Sequence, residues 1–548
     1  MSGQKLELKR WAFVLVILIF ISFGRGIKND YSIDDYLVTT EANELVSKGI
    51  KGIPEILTSP YQYIDGQGHG YRPLAKVTYA IEYELWGFRP KVSHLINIAL
   101  YALAVILLFF LLKNIVFSNA KAAFLVAALF ALHPLHSEVV FNIKNREELL
   151  ALLFGFTSFY CLWKGIEKDK FIKWAGLALF VFAIGTLAKI TIIIYGGLIP
   201  FVLVYTKKVS LKKGLLILGL YVSVTFIMAY LHITIGADEA RTLEYPENFL
   251  VNEGWTTKLA NAFNIFNYYG INHIWPLPLL AYYGTGAINP VNWSSPYPYL
   301  AIVVLVGMLY GIIKGYKNNS TIGLGFGVYL IGIILFLNFP LLAAGVIAER
   351  FATLSVLGFV LVLYGVGLLA VKNPIFRNVA FFAVITFFTI ANINRAPDWK
   401  DQITLVRADV AKAPNSIKLN MLVAEQLHLN WKNYPQAQQK EIVSEAAKHY
   451  LKAIELWPES GESYSRLGIL CMEIGQVRNA IDNFAKAINK GKNTGFDYYL
   501  LASAFDALGD YKEALKHYKT CLAKDPGFYK AKKRVDAIKQ EIEQVSGN

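Results

Sequence analysis

The chain has 548 residues, of which 55% are hydrophobic, 14% aromatic and only 17% charged. Soluble domains carry about 25% charged residues and disordered chains are poor in apolar ones, so the composition excludes both classes. A mean hydropathy of +0.39 instead indicates a polytopic membrane protein. The net charge of +14 is then explained by cationic cytoplasmic loops, and we expect no nucleic-acid partner. The three cysteines, Cys161, Cys471 and Cys521, form neither a disulfide framework nor a C-x-x-C metal or redox pair.

Apolar segments long enough to cross a bilayer recur along residues 1–395. A span needs about 20 apolar residues, and two or three of the candidates are shorter than that. We predict eleven spans, at 11–24, 93–112, 121–133, 147–163, 172–188, 190–206, 214–235, 299–315, 321–340, 351–371 and 376–393. The first follows Lys9 and Arg10 and has no small-residue cleavage site after it, which indicates a retained anchor rather than a cleaved signal peptide.

Lysine and arginine are concentrated in alternate loops, which predicts an N-terminus in the cytoplasm. These cations are Lys5, Lys9, Arg10, Lys113, Lys121, Lys164, Lys168, Lys170, Lys173, Lys207, Lys208, Lys212, Lys213, Lys314, Lys317, Lys372 and Arg377. The segment 257–280 would reverse this bias if it spanned, and it carries Asn261, Asn264, Asn267, Asn272 and His273. Unpartnered amides are costly in lipid, so we interpret the segment as interfacial or re-entrant. The loop 25–91 and residues 396–548 then lie on the outer face.

Residues 396–548 are charged and helical, with a sequence period of 34 residues. Similar residues recur at that distance in the pairs Leu467 and Leu501, Gly475 and Gly509, Ala480 and Ala514, and Phe484 and Tyr518. This spacing predicts an α-solenoid of about three tetratricopeptide (TPR) repeats, the first stretched near 432–441. Cys471 and Cys521 occupy packing positions, so we expect both thiols to be buried. Such an array binds a peptide or protein in its concave groove, and a stalk or dimer contact is the alternative.

An acidic pair, Asp34 and Asp35, lies about ten residues past the first span. Adjacent carboxylates at a membrane surface repel each other, so at least one should have a raised pKa unless a cation is near. Such a group is a candidate general base for an acceptor hydroxyl. A solvated acidic turn or a helix N-cap is the alternative.

Other polar side chains map to the same predicted face. They are Arg72 on the first outer loop, His94 at the mouth of the second span, His133, His136 and Glu138 after the third, and Arg146 and Glu148 at the start of the fourth. The His-x-x-His pair with Glu could bind a metal in principle. Pro134 stops the helix between the two rings, however, so hydrogen-bonded loop histidines are the alternative and we assign no metal ligand.

Two cations are candidates for binding a phosphate. Lys189 lies in the short outer turn between the fifth and sixth spans, and Arg350 follows Glu349 where the ninth span leads into the tenth. A guanidinium near hydrocarbon needs a partner, which Glu349 could supply in a purely structural ion pair. Alternatively, Arg350 and Lys189 face the phosphate of a lipid carrier, since arginine can hold two oxygens at once.

Several segments together resemble one known family. They are "SIDDYLVTT", "YRPLAKVTYAIEYELWG", "HLINIALY", "ALHPLHSEVV", "NREELLALL", "VIAERF" and "RAPDW", followed by the repeats. In this order they resemble the transmembrane-and-TPR-containing protein O-mannosyltransferases, which have the C-type glycosyltransferase (GT-C) fold, and their bacterial relatives. The resemblance implies an all-α fold: a GT-C-like membrane bundle of about eleven spans over 1–395, then a TPR solenoid over 396–548.

The resemblance also implies an activity and roles for these residues. It implies inverting transfer of a sugar from a polyprenyl-phosphate donor to a hydroxyl, with Asp34 or Asp35 as the base and Arg350 near the donor phosphate. Arg146 and Glu148 match the family's Arg-x-Glu. Two positions depart from the pattern: Asn145 stands where glycine is usual, and Ile190 stands where glutamate commonly follows Lys189. The second departure weakens any acid–base or metal role around Lys189, and loss of catalysis is an alternative.

We therefore expect a membrane glycosyltransferase that acts on protein Ser or Thr, with a lipid-linked sugar as substrate and a protein acceptor held by the repeats. No cofactor is assigned, and a divalent metal stays open. The alternatives are a membrane-anchored TPR adaptor without catalysis and a transferase acting on envelope glycolipid or polysaccharide. The absence of an ER retention motif favours the bacterial inner membrane, with the repeats in the periplasm.

Overall fold

Helices form nearly all of the regular structure in a computed structural model that describes residues 2–39, 43–64, 67–236 and 242–546. The chain divides into two units. One comprises residues 1–281 and 290–405, and the other comprises residues 282–289 and 406–548. The all-helical class predicted from the sequence is therefore confirmed, with one small exception in the first outer loop.

The first unit contains the apolar helices. Its longer helices are Ser2–Phe23, Pro73–Trp86, Pro90–Leu111, Ala120–Leu132, Arg146–Glu167, Phe171–Thr186, Ile194–Tyr205, Leu211–Gly236, Trp255–Ile274, Tyr297–Asn318, Thr321–Ile333, Ser355–Ala370 and Pro374–Arg395. Shorter α-helices are Tyr36–Thr39, Glu44–Ser47, Ile53–Ile56 and Ser137–Phe141. Single turns of 3₁₀ or π helix occur at Gly24–Lys28, Ile33–Asp35, Gly49–Gly52, Leu112–Val116, Pro134–His136, Ile190–Ile193, Ile334–Phe336, Glu349–Ala352 and Ala396–Lys400.

Each of the eleven segments predicted to span coincides with one of these helices. Within the described residues, five helices are long and apolar enough to cross a membrane: Pro90–Val116, Arg146–Glu167, Leu211–Gly236, Tyr297–Asn318 and Pro374–Lys400. A sixth is obtained if Ala120–Leu132 and Pro134–Phe141, bent by 56°, are one span, and Pro134 accounts for that bend. The chain is an integral membrane protein, while the total of eleven spans and their orientation stay predictions.

The amide-rich segment 257–280 is mostly helical, over Trp255–Ile274. The Asn261 side chain is fully buried and bonds the backbone of Val291 in both directions, donating at 2.8 Å and accepting at 2.9 Å. His273 is also fully buried. Its ring contacts the Tyr269 carbonyl at 2.5 Å and the Ser355 hydroxyl at 3.0 Å, so both of these buried side chains have protein partners, as a buried polar group requires. Whether the segment is re-entrant stays a prediction.

A two-stranded antiparallel hairpin is the exception to the all-α class. Strand Gln62–Ile64 pairs with Gln67–His69, with Gln62 opposite His69. The N–H of Tyr61 donates a 2.7 Å hydrogen bond to the carbonyl of Gly70, which extends the pairing. Gly70 has a φ of 69°, a conformation that glycine adopts without steric cost.

The second unit is a helical array. Its first helix, Gln402–Lys412, begins just before the boundary between the units. The helices that follow are Ile417–Asn430, Gln436–Leu456, Gly461–Glu473, Val477–Asn489, Gly495–Ala507, Tyr511–Lys524 and Tyr529–Ser546. Three antiparallel pairs can be recognised, as the period predicted, and the stretch near 432–441 is absorbed by the 21-residue helix Gln436–Leu456. The prediction of TPR repeats is confirmed. The exact domain boundary after residue 395 stays a prediction.

The positions that recur every 34 residues have a clear structural purpose. Gly475 and Gly509 have φ values of 75° and 83° and let the chain turn sharply between the two helices of a repeat. Ala480 and Ala514 are fully buried, because a small side chain lets two helices approach closely. Cys521 is fully buried and Cys471 is 7% exposed, so the prediction of buried thiols is confirmed.

Candidate active site

The two acidic residues of the first outer loop have different surroundings. The Asp35 carboxylate is fully buried and accepts the backbone N–H of Ser32 at 2.8 Å and that of Lys144 at 2.7 Å. Burial raises the pKa of Asp35 to about 7, although the two N–H donors act to lower it. The Asp34 side chain is 54% exposed and lies 3.6 Å from the Lys144 amine. Asp34 is therefore the accessible carboxylate of the pair.

The backbone before Asp34 is strained. Ile33 has a φ of 42°, in the left-handed region that β-branched residues avoid at a cost of about 1–2 kcal/mol. The Ser32 N–H donates to the Asp35 carboxylate across this turn at 2.8 Å, and the Thr39 hydroxyl donates to the Asp35 carbonyl at 2.5 Å. These contacts hold the strained turn, and thereby fix where Asp34 projects.

The first turn of helix Arg146–Glu167 carries the centre of an ion-pair network. Glu147 is fully buried, and its carboxylate lies 2.9 Å from Arg72 and 2.7 Å from Lys189. Lys144 lies 3.9 Å from the same carboxylate and also faces Asp34. A carboxylate in the first turn of a helix is further stabilised by the helix dipole. The first outer loop, this turn and the Lys189 turn are thus electrostatically connected.

Lys189 also pairs with Glu148, the residue that follows Glu147 in helix Arg146–Glu167. Its amine lies 2.9 Å from Glu148, whose other oxygen accepts the Thr191 hydroxyl at 3.1 Å. The Lys189 charge is therefore shared between two carboxylates. Its expected contact with a donor phosphate stays a prediction.

Arg350 pairs with Glu138 rather than with Glu349, the partner expected from the sequence. The Arg350 guanidinium bonds the Glu138 carboxylate, and the Arg350 backbone N–H donates to it at 2.9 Å. Burial lowers the pKa of Arg350, but the charge of Glu138, with Asp34 and Glu148 contributing less, raises it above its ordinary value. Arg350 is thus within electrostatic range of Asp34, the exposed member of the acidic pair. Glu349 instead accepts the Leu280 N–H at 2.8 Å and the Ser137 hydroxyl at 3.3 Å.

A narrow pocket of about 30 Å³ lies between Glu148 and Arg350. Its wall consists of Glu148, Ala151, Leu152, Thr191, Ile192, Ile194, Tyr195, Phe336, Arg350, Phe351, Thr353 and Leu354. A few polar groups converge there among apolar and aromatic side chains, which is the usual make-up of a small-molecule site. The pocket joins the Arg350 ion pair to the network of Lys189.

Arg146 has a structural position. It is fully buried, pairs with Glu82 at 2.6 Å, donates to Asn97 at 2.8 Å and lies 4.1 Å from the centre of the Tyr79 ring. These residues come from two other helices, so Arg146 ties three helices together. Of the two residues matched to the family's Arg-x-Glu, Glu148 lines the pocket and Arg146 connects neighbouring helices.

The predicted histidines bond to backbone and side-chain groups. His94 contacts the Asp30 carbonyl at 3.4 Å, His133 the His273 carbonyl at 3.0 Å, and His136 the Tyr101 hydroxyl at 2.8 Å. The rings of His133 and His136 are 6.4 Å apart. In the described ranges no group of three or more His, Cys, Asp or Glu side chains could hold a metal ion. The contacts favour the hydrogen-bonded alternative for these histidines.

The structure thus brings together seven of the predicted residues: Asp34, Asp35, Arg72, Glu138, Glu148, Lys189 and Arg350. Sequence analysis missed Lys144, Glu147, Thr191 and Tyr195. One signal was available, because Lys144 and Glu147 are three residues apart with opposite charges at the start of a predicted helix. Tyr195 lies in an apolar segment and gave no comparable signal.

Comparisons with known proteins find two kinds of match. Residues 70–232 match the family model described as dolichyl-phosphate-mannose-protein mannosyltransferase, and residues 496–528 match the tetratricopeptide repeat. Human protein O-mannosyl-transferase TMTC3 is 23% identical over 451 residues, covering 76% of this chain and 48% of that protein. Human TMTC4 is 27% identical, covering 65% of this chain and 55% of that protein.

Protein O-mannosyl-transferase F38B6.6 of Caenorhabditis elegans is 23% identical, covering 81% of this chain and 62% of its own length. The chain thus spans about half the length of the curated relatives it matches. Among solved structures, the crystal structure of MamA covers 26% of this chain and 77% of that chain at 20% identity, with a TM-score of 0.23. That score is too low to support an inference.

Proposed function

Because its motifs, its mannosyltransferase-like region and its repeats all resemble the transmembrane-and-TPR-containing O-mannosyltransferases, we propose that this protein is a membrane glycosyltransferase. It transfers a sugar, with inversion, from a polyprenyl-phosphate donor to a Ser or Thr hydroxyl of a protein. The reaction takes place on the outer face of the membrane, and we propose the bacterial inner membrane as its location. The repeats lie in the periplasm and present the acceptor.

One observation carries this proposal: a chain of ion pairs connects an accessible carboxylate, Asp34, to the pocket that Arg350 lines. Asp34 is more than half exposed and acts electrostatically on Arg350, which lines the pocket. Sugar transfer needs a base to take the proton of the attacking hydroxyl. It also needs a positive group where charge develops on the departing phosphate, an effect worth about 3 kcal/mol for one well-placed donor.

Asp34 is the better candidate for the base. Both oxygens of Asp35 already accept backbone N–H groups, and that side chain is fully buried. An acceptor hydroxyl could not reach it without breaking those bonds. We therefore assign Asp35 to positioning and Asp34 to proton abstraction, with Lys144 holding the Asp34 carboxylate.

An apolar cavity next to the pocket that Arg350 lines supports a lipid-linked donor. Beyond the polar pocket, one helical turn further along the same helices, lies a second, narrow cavity of about 30 Å³. Its wall is entirely apolar: Leu108, Leu111, Leu112, Ile115, Val116, Phe156, Phe159, Leu198, Val202, Leu324, Val328, Leu357 and Leu361. A chain of isoprene units requires such an unbroken hydrocarbon lining. In this arrangement the phosphate lies near Arg350 and the lipid enters from the side.

A glycoproteomic comparison tests the proposal in cells. Cells without the protein should lose hexose on Ser and Thr of particular exported peptides, and the wild-type chain should restore it. The Glu44→Gln variant should restore it equally, because Glu44 is an exposed carboxylate of the same loop. If only the glycans of envelope glycolipid differ between the two kinds of cell, the acceptor is a glycolipid and not a protein. An unchanged set of glycans would leave the adaptor alternative.

A further inference from the structure

The Tyr195 hydroxyl is buried without a partner. Tyr195 is 4% exposed, and its ring packs edge-on against Phe156 with the centroids 5.6 Å apart. Gly155 makes room for the ring, since a Cβ there would lie 2.5 Å from it. The phenolic oxygen has no hydrogen-bond partner within the described part of the chain. Burying a hydroxyl without a hydrogen-bond partner lowers the stability of the fold by about 1–3 kcal/mol. At the wall of a pocket, a bound ligand can provide the missing partner.

The neighbours of this hydroxyl define the chemistry of that ligand. Tyr195, Thr191 and Glu148 line the same pocket, and the Thr191 hydroxyl donates to Glu148 at 3.1 Å. Glu148 is an acceptor, whereas Tyr195 can donate or accept. This set matches a ligand that carries several hydroxyl groups. In the proposed arrangement the phosphate is held by Arg350 at the same pocket, and an isoprene unit would leave the Tyr195 hydroxyl unpaired.

The rest of the wall suits the apolar face of a sugar ring. Phe351 and Phe336 both line the pocket and stack in parallel, with centroids 4.5 Å apart and an interplanar angle of 4°. Arg350 lies over the Phe351 ring at 4.9 Å. The guanidinium that would hold the donor phosphate is thus beside an aromatic surface, and the hydroxyl-binding groups line the same pocket.

We propose that Tyr195, with Glu148 and Thr191, binds the hydroxyl groups of the sugar being transferred and so determines which sugar is accepted. The inference rests on the proposed function, because it takes the donor to be a lipid-linked sugar. It adds a specificity-determining residue from an apolar helix.

Binding to the full-length protein in detergent tests this proposal. The probes are short-chain polyprenyl phosphate, bare or carrying mannose, glucose or galactose, and the readout is the dissociation constant. The wild type should bind one of the sugar-bearing lipids more tightly than the bare lipid. Tyr195→Phe should weaken that binding about tenfold, as expected for one lost hydrogen bond, and leave the affinity for the bare lipid unchanged.

Tyr195→Phe keeps the ring and removes an unpaired hydroxyl, so its thermal unfolding midpoint should equal or exceed that of the wild type. The matched control is Tyr221→Phe, whose hydroxyl bonds Ser158 at 2.7 Å away from the pocket. It should lower the midpoint and leave sugar discrimination intact. Equal weakening of bare and sugar-bearing lipid by Tyr195→Phe, or no weakening of either, would overturn the proposal. A wild type that binds none of the lipids would remove the proposed function as well.

Discussion

The backbone N–H of Lys144 donates a 2.7 Å hydrogen bond to the Asp35 carboxylate, while its amine lies 3.6 Å from the neighbouring Asp34. One residue therefore contacts both members of the acidic pair through different groups. The buried contact fixes the loop against the turn before helix Arg146–Glu167, and the exposed contact orients the carboxylate that we assign as the base. We therefore expect Asp35 to influence the proposed reaction through the position of Asp34.

Asp35→Asn should show how the buried carboxyl affects stability. Its pKa is raised from its ordinary value of 3.8 to about 7, so between pH 4 and pH 7 the unfolded chain ionises here and the folded chain does not. The wild type loses stability from this group as the pH rises through that window, whereas asparagine cannot ionise. The stability deficit of Asp35→Asn relative to the wild type should therefore shrink from pH 4.5 to pH 7. Unfolding midpoints of both proteins measure it, and a constant difference would contradict the raised pKa.

Arg350→Ala should separate the two roles of the guanidinium. The substitution leaves Glu138 buried without its charged partner, which costs about 3–5 kcal/mol of stability, and it should lower kcat/KM for the donor about 10²–10³-fold. Adding Glu138→Gln should restore the unfolding midpoint and leave donor use impaired. If the double variant regains normal donor dependence, Arg350 serves only as half of a structural ion pair.

Lys189→Met should destabilise the fold, because the Lys189 amine lies within 3 Å of both Glu147 and Glu148. Removing one partner from buried ions costs about 3–5 kcal/mol. Lys173→Met, at an exposed position, provides the control and should change the unfolding midpoint little. Equal midpoints for the two variants would show that the network contributes little to stability.

Ala514→Leu should loosen the repeats. Ala514 is fully buried, and added methylenes in a packed core cost about 1–3 kcal/mol. Limited proteolysis of the full-length protein should therefore cut the C-terminal repeats faster in this variant. Lys519→Leu places the same side chain at an exposed position of the same helix and should be cut at the wild-type rate. Similar rates for all three proteins would mean that the helix crossing tolerates the larger residue.

Much of the fold could be predicted because strong periodic signals are local. The apolar segments predicted the helices of the first unit. The 34-residue period predicted the repeats, including the positions of Gly475 and Ala480. The hairpin at 62–69 was missed because each strand has only three residues. Too few side chains alternate there to reveal a strand period.

The site could be predicted only in part, because ion pairing depends on tertiary contacts. Asp34, Asp35 and Arg350 were found from charge in an apolar setting. Adjacent position suggested Glu349 as the partner of Arg350, but the turn at Glu349–Ala352 brings the guanidinium to Glu138. Tyr195 could not be found, since its significance lies in a hydrogen bond that the fold leaves unmade.

The most direct test is the initial rate of sugar transfer by the purified full-length protein, compared between the wild type and Asp34→Asn. The donor is polyprenyl-phosphate mannose and the acceptor is a Ser/Thr peptide. We predict that Asp34→Asn lowers the rate about 10²–10⁴-fold, the usual contribution of a general base, with an unchanged unfolding midpoint because the Asp34 side chain is half exposed. Wild-type rates in the Asp34→Asn variant would contradict the assignment of Asp34 as the base and the catalytic account built on it.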